Sequence, residues 1–205
     1  VEMFNLSYYY FTGQQGDFAA LRTQAPEAAF YVEMCHCTSV QNIPDVPAGY
    51  DNFRFRRTTP NQYYTTAHLA YARGLQGVST FNFVYYREHG IGDRGPFDEP
   101  PFEIHQGCAD PAFVARQSQH YFIAHTWTQP EHGRFPLNDT WNMRQFRPGE
   151  PVAFQLDMAP PTGGWQEDGR LRVQSPDDLA AGRWRAVLNG VELAETPDRS
   201  EPYPN

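Results

Sequence analysis

Ala28-Ala29-Phe30-Tyr31-Val32-Glu33-Met34 is an apolar stretch interrupted by a single carboxylate. It has the length of a strand, is rich in aromatic and β-branched residues, and lacks the polar alternation of a half-solvated strand. Such a run suits a strand covered on both faces, the usual state of a parallel sheet. Two similar runs flank it. Upstream, Val1 to Phe11 is nearly continuous in apolar and aromatic residues, and Gly13-Gln14-Gln15-Gly16 breaks it. Downstream, Gly77-Val78-Ser79-Thr80-Phe81-Asn82-Phe83-Val84-Tyr85-Tyr86 is a third β-rich run.

Helix signals fill the gaps. Asp17 is placed to cap a short helix from Phe18 to Gln24 that stops before Pro26. Thr58-Thr59-Pro60 offers a cap followed by proline at the first helical position, and the helix Asn61 to Arg73 aligns Tyr64, Ala67, Tyr71 and Gly74 on one stripe. Asp110-Pro111 opens a third helix over about Ala112 to His120. Two long loops remain, Cys35 to Thr59 and Arg87 to Gly107, and loops of that length in a compact domain are usually functional. Strand-helix units repeated three times imply a parallel sheet that belongs to something larger. The opening residues lack the basic region and cleavage site of a signal peptide, so the chain is expected to begin in mid-structure.

From about Trp127 the helical periodicity disappears. Pro151 to Met158 and Arg170 to Gln174 alternate in polarity, and Asn189-Gly190 joins Arg185-Ala186-Val187-Leu188 to Val191-Glu192-Leu193 as a tight hairpin. These strands imply an antiparallel β-sandwich, an incomplete one because four strands cover too little apolar surface. The expected division is residues 1–126, an α/β portion, and 127–205, a sandwich.

Composition narrows the function. The net charge is −8 and all 16 basic residues are arginine, a poor surface for nonspecific binding of a phosphate backbone, so no nucleic-acid partner is expected. No apolar run approaches the roughly 18 residues of a membrane helix. Aromatic residues make up 15% of the chain, and its 12 Tyr and 4 Trp supply flat rings with polar tips of the kind that pack against sugars. Three cysteines do not make a disulfide framework. In an extended segment Cys35 and Cys37 point one way and His36 the other, which argues against one ion held by all three, so no metal is expected. Glycine-rich phosphate loops, G-x-S-x-G and H-E-x-x-H are all missing, and no cofactor is expected. Nothing in these signals sets an oligomeric state.

In parallel barrels the carboxyl ends of the strands meet at the active face. That rule selects Ser7, Tyr8 and Tyr10, then Glu33 and His36, then Asn82, Tyr85 and Tyr86, with Arg87, Glu88 and His89 directly after. Glu33 and Glu88 are the catalytic candidates. Tyr8, His36, Asn82, Tyr85, Tyr86, Arg87 and His89 are the candidates for substrate binding. A carboxylate amid Phe30, Tyr31, Val32 and Met34 needs either a role or a partner such as Arg54, Arg56 or Arg57. For His36 and for Asn82 the competing reading is a structural hydrogen bond.

Phe30-Tyr31-Val32-Glu33, followed by Ala67-His68-Leu69-Ala70-Tyr71-Ala72-Arg73-Gly74 and Gly77-Val78-Ser79-Thr80-Phe81-Asn82-Phe83, resembles the closing strands of bacterial glycoside-hydrolase-like (β/α)8 barrels that run into a β-sandwich. The likeness covers roughly residues 1 to 125. It implies the last strands of a TIM barrel, a carbohydrate substrate, and Glu33 at the end of the seventh strand as nucleophile. The acid/base partner would then lie on the fourth strand, upstream of Val1, because retaining hydrolysis needs two carboxyls about 5 Å apart. A noncatalytic carbohydrate-binding protein and a purely structural module are the competing readings. A periplasmic or secreted location follows from the substrate class alone.

Overall fold

The computed structural model describes residues 2–6, 13–14, 16–42, 53–84, 99–123, 148–173 and 182–197. They fall in two compact units, Val1–Gly164 and Trp165–Asn205.

The first unit is built on three parallel strands in the order β1-β2-β5: β1 (Met3–Leu6), β2 (Ala29–Cys35) and β5 (Gly77–Phe81). Phe4 pairs with Phe30 and Val32 with Val78, so β2 is the centre. Helix α1 (Phe18–Gln24) connects β1 to β2, and α2 (Pro60–Ala72) stands between β2 and β5. Each starts as its sequence dictates. Asp17 accepts from the Ala20 amide, and Thr59 forms a reciprocal box with Gln62 ahead of Pro60.

Side chains alternate along β2. Phe30, Val32 and Met34 enter one core cluster with Phe18 and Leu21 of α1 and Tyr63, Ala67 and Leu69 of α2. Both helices therefore cover the same face of the sheet. Tyr31 and Glu33 point to the other face and are half-buried, with Asn5 and Ser79 on the neighbouring strands.

The chain departs from its sequence-based expectation in several places. Among the described residues no (β/α)8 barrel forms: three strands make an open sheet with β1 and β5 at its edges, and no closure is found. Closure needs strands on both sides to tilt round and join, and two ladders cannot supply that. No four-stranded sandwich forms there either. Residues 151–161 and 171–173 are not in strands. Side chains of the first unit take up the polar groups of the expected first sandwich strand and the residues after it. Arg73 grips Asp157 through a two-pronged ion pair (Nε to Oδ2, 2.7 Å), and the Tyr121 hydroxyl bonds both the amide and the carbonyl of Ala159. His68 Nε2 lies 3.0 Å from the Pro160 carbonyl.

The first long loop contains an antiparallel hairpin, β3 (Cys37–Asn42) with β4 (Phe53–Arg57). The second contains a short helix, α3 (Glu103–Cys108), which with α4 (Pro111–Val114) packs on α2. Consequently α2 is buried on every side from Gln62 to Ala70, and its expected apolar stripe is too narrow a description. Helix α4 ends well short of His120. In the second unit the only strands described are β6 (Val187–Leu188) and β7 (Val191–Glu192). Asn189 and Gly190 have φ of 50° and 86°, the positive values a type I′ turn requires. No helix among the described residues is long and apolar enough to cross a membrane.

Gly107 shows how tightly α3 is docked. A Cβ there would come within 2.7 Å of the Tyr64 ring and 2.8 Å of the Phe113 ring, which already meet edge to face at 5.3 Å. Gly107→Ala is expected to destabilise the protein by about 1–3 kcal/mol, the usual cost of overpacking. Urea denaturation checks this; an unchanged midpoint would mean that α3 is loosely held.

Candidate functional site

Two sets of polar side chains gather along the second half of β2. The first lies on the face of the sheet opposite α1 and α2. Asn5 reaches across from β1 and donates from Nδ2 to Glu33 Oε1 at 2.7 Å, while its own Oδ1 accepts from Ser79 Oγ at 2.9 Å. All three strands thus contribute one polar group to a continuous chain. The hydroxyl orients the amide, and the amide orients the carboxylate. Beside it the Tyr31 ring lies over Gly77 so closely that a Cβ at that glycine would stand 2.5 Å from a ring carbon. Glycine is needed here for close approach of a flat ring to the backbone.

The second set sits where β2 ends. A bend at His36 separates β2 from β3. Cys35, His36 and Cys37 are all buried, and their ligand atoms lie within 4.8 Å of one another. Cys35 Sγ is 3.1 Å from His36 Nδ1 and 3.9 Å from Cys37 Sγ. Fixed hydrogen bonds hold the bend. The Cys35 carbonyl accepts from Thr58 Oγ1 and Tyr63 Oη, both at 2.8 Å, and the Thr58 amide donates to the His36 carbonyl at 2.9 Å. The expectation that His36 must turn away from the two thiols assumed a straight strand, and the bend removes that constraint.

Burial alone would raise the Cys35 thiol, but hydrogen bonds with Cys37 and His36 and the charge of the imidazole outweigh it and bring it down to about 5. Burial instead pushes the Cys108 thiol up to about 12. A depressed folded value means that the native state binds fewer protons than the unfolded chain, so Cys35 stabilises the fold above the ordinary thiol value of 9.0. That contribution is lost as pH falls from 9.0 through about 5. Cys108 has the opposite sign, and its contribution is lost as pH rises from 9.0 towards about 12. Cys35→Ser should flatten the acid limb of the stability profile and Cys108→Ser the alkaline limb. Identical profiles for both variants would contradict this assignment.

Of the sequence candidates, the structure places Glu33, His36 and Asn82. Glu33 and His36 lie three residues apart at the end of β2. Asn82 follows β5 with φ of 53°, a left-handed conformation that asparagine tolerates, and ends that strand. Tyr8, Tyr85, Tyr86, Arg87, Glu88 and His89 lie outside the described residues, as do the side chains of Arg54 and Arg56. Asn5 and Ser79 were missed. An asparagine and a serine in apolar runs give no signal alone; only the parallel register with Glu33 on the central strand reveals them.

No protein-family model, characterised protein or solved structure matches the chain.

Proposed function

We propose that the face of the sheet opposite α1 and α2 binds carbohydrate and that Glu33 is a carboxylate acting on a glycosidic bond. The observation that carries this reading is the Ser79–Asn5–Glu33 chain of hydrogen bonds, which presents an oriented carboxylate and amide on a face that a parallel sheet would ordinarily cover. Adjacent sugar hydroxyls are recognised by such acceptor and donor pairs, and the apolar face of a pyranose packs on a ring such as Tyr31. In glycoside hydrolysis Glu33 would serve as nucleophile or charge stabiliser. A second carboxyl about 5 Å away would be needed for retention, or farther for inversion.

Among the described strand residues, Glu33 is the one carboxylate on that face. This observation favours a second reading, a noncatalytic carbohydrate-binding protein that uses the same residues for affinity. A purely structural module is less favoured, because Trp165 and Trp184 are each 52% exposed. The substrate class alone points to a periplasmic or secreted location.

Calorimetric titration of the full chain with a panel of neutral oligosaccharides tests the face directly. Binding of at least one sugar, weakened about tenfold or more by Asn5→Ala, is expected, since losing a hydrogen bond to a charged group costs about 1.5–3 kcal/mol. Failure of every sugar to bind, or equal affinity in the variant, would remove this face from the function.

A further inference from the structure

We propose that Cys35, His36 and Cys37 form a site for one thiophilic divalent cation of the zinc class, held by the two Sγ atoms and His36 Nδ1. The inference stands apart from the carbohydrate reading and rests on the bend that ends β2.

The spacing is that of metal ligands. Two thiolates bound at 2.3 Å to a tetrahedral ion stand about 3.8 Å apart. Cys35 Sγ and Cys37 Sγ are 3.9 Å apart. A thiolate and an imidazole nitrogen on the same ion stand about 3.6 Å apart, so His36 Nδ1, at 3.1 Å from Cys35 Sγ, needs to withdraw by only a few tenths of an ångström. A disulfide would require the sulfurs to close to about 2.05 Å, a far larger movement within a bend pinned by Thr58 and Tyr63.

Softness and burial agree with the spacing. Two sulfurs and an imidazole suit zinc-like ions rather than magnesium or calcium, which prefer oxygen. All three residues are at most 2% exposed, so the ion would sit in a dry pocket with its ligands already ordered. On binding, each coordinating sulfur still protonated gives its proton to solvent, as does Nδ1 where it carries one, so that the imidazole binds through the Nδ1 lone pair and keeps its proton on Nε2. Thr58 and Tyr63 both donate from their hydroxyls to the Cys35 carbonyl and so hold the backbone at the bend. Among the described residues the cluster holds these three ligands and no fourth.

The test uses the reduced full chain titrated with Co2+ in the absence of oxygen, read by thiolate-to-cobalt charge-transfer and tetrahedral ligand-field absorption. One Co2+ per chain is expected, with both bands erased by Zn2+. Cys35→Ser and Cys37→Ser should each weaken binding by more than about 100-fold, beyond the 10–100-fold typical of losing an outer partner. Cys108→Ser should bind as the parent does. The proposal is overturned if the parent shows no thiolate charge transfer, if the Cys35 or Cys37 variant keeps the parent's affinity, or if Cys108→Ser abolishes the bands. Should a serine variant at 35 or 37 fail to fold by circular dichroism, the parent and Cys108→Ser titrations still decide.

Discussion

Glu33→Gln in the full-length protein is expected to lower turnover of any glycoside it cleaves by about 10²–10⁴-fold, the range in which a positioned acid, base or nucleophile contributes. The substitution keeps the shape and leaves an oxygen able to accept from Asn5 Nδ2, so the chain of hydrogen bonds from Ser79 should survive. What is lost is the negative charge that would attack or stabilise an oxocarbenium-like centre. A fall in kcat with KM nearly unchanged would identify a group that acts in the transition state. A rise in KM alone would support the binding reading instead. Steady-state kinetics on a panel of aryl glycosides separates these outcomes, and wild-type turnover in the variant would exclude Glu33 from the chemistry.

The largest effect on stability is expected at Tyr63. Its side chain is fully buried in α2, its ring meets Phe83 edge to face at 6.1 Å, and its hydroxyl donates to the Cys35 carbonyl at 2.8 Å. Tyr63→Ala removes the ring and leaves a cavity between the helix and the sheet, for which about 3–5 kcal/mol is typical. That is a large share of the 5–15 kcal/mol by which domains are ordinarily stable. Tyr63→Phe should cost only about 0.5–1.5 kcal/mol, because Thr58 Oγ1 still donates to the same carbonyl. Denaturant unfolding of the two variants measures both values. Equal losses would mean that the hydroxyl, rather than the ring, supports the fold.

The parallel core could be read from the sequence because its signals are local. Phe30, Val32 and Met34 lie in a run that is apolar but for Glu33, Asp17 and Thr59 sit where caps must be, and Asn189-Gly190 admits little besides a tight turn. Barrel closure and the sandwich were misjudged because they depend on partners far along the chain. Alternation in Pro151 to Met158 resembles a strand, yet Arg73 captures Asp157 and Tyr121 captures Ala159. No local pattern encodes those contacts. Gln14 is similar. It stands in a glycine-rich break that reads as a turn, but its buried amide donates to Thr66 Oγ1 at 3.0 Å and accepts from the Phe122 amide at 3.0 Å, tying α2 to a distant segment.

The candidate site divides the same way. Glu33 stands out in sequence because a carboxylate in an apolar strand is costly without a purpose. Asn5 and Ser79 emerge only once the register is known. The two-residue period of a strand argues against one ion shared by Cys35, His36 and Cys37, and a one-residue bend is enough to remove that argument.

A crystal structure of the full chain soaked with a polyhydroxylated iminosugar tests the central claim most directly. The account predicts ligand density on the sheet face opposite α1 and α2, with a hydroxyl or ring nitrogen within hydrogen-bond distance of the Glu33 carboxylate. A sugar mimic bound elsewhere, with Glu33 untouched, would contradict it.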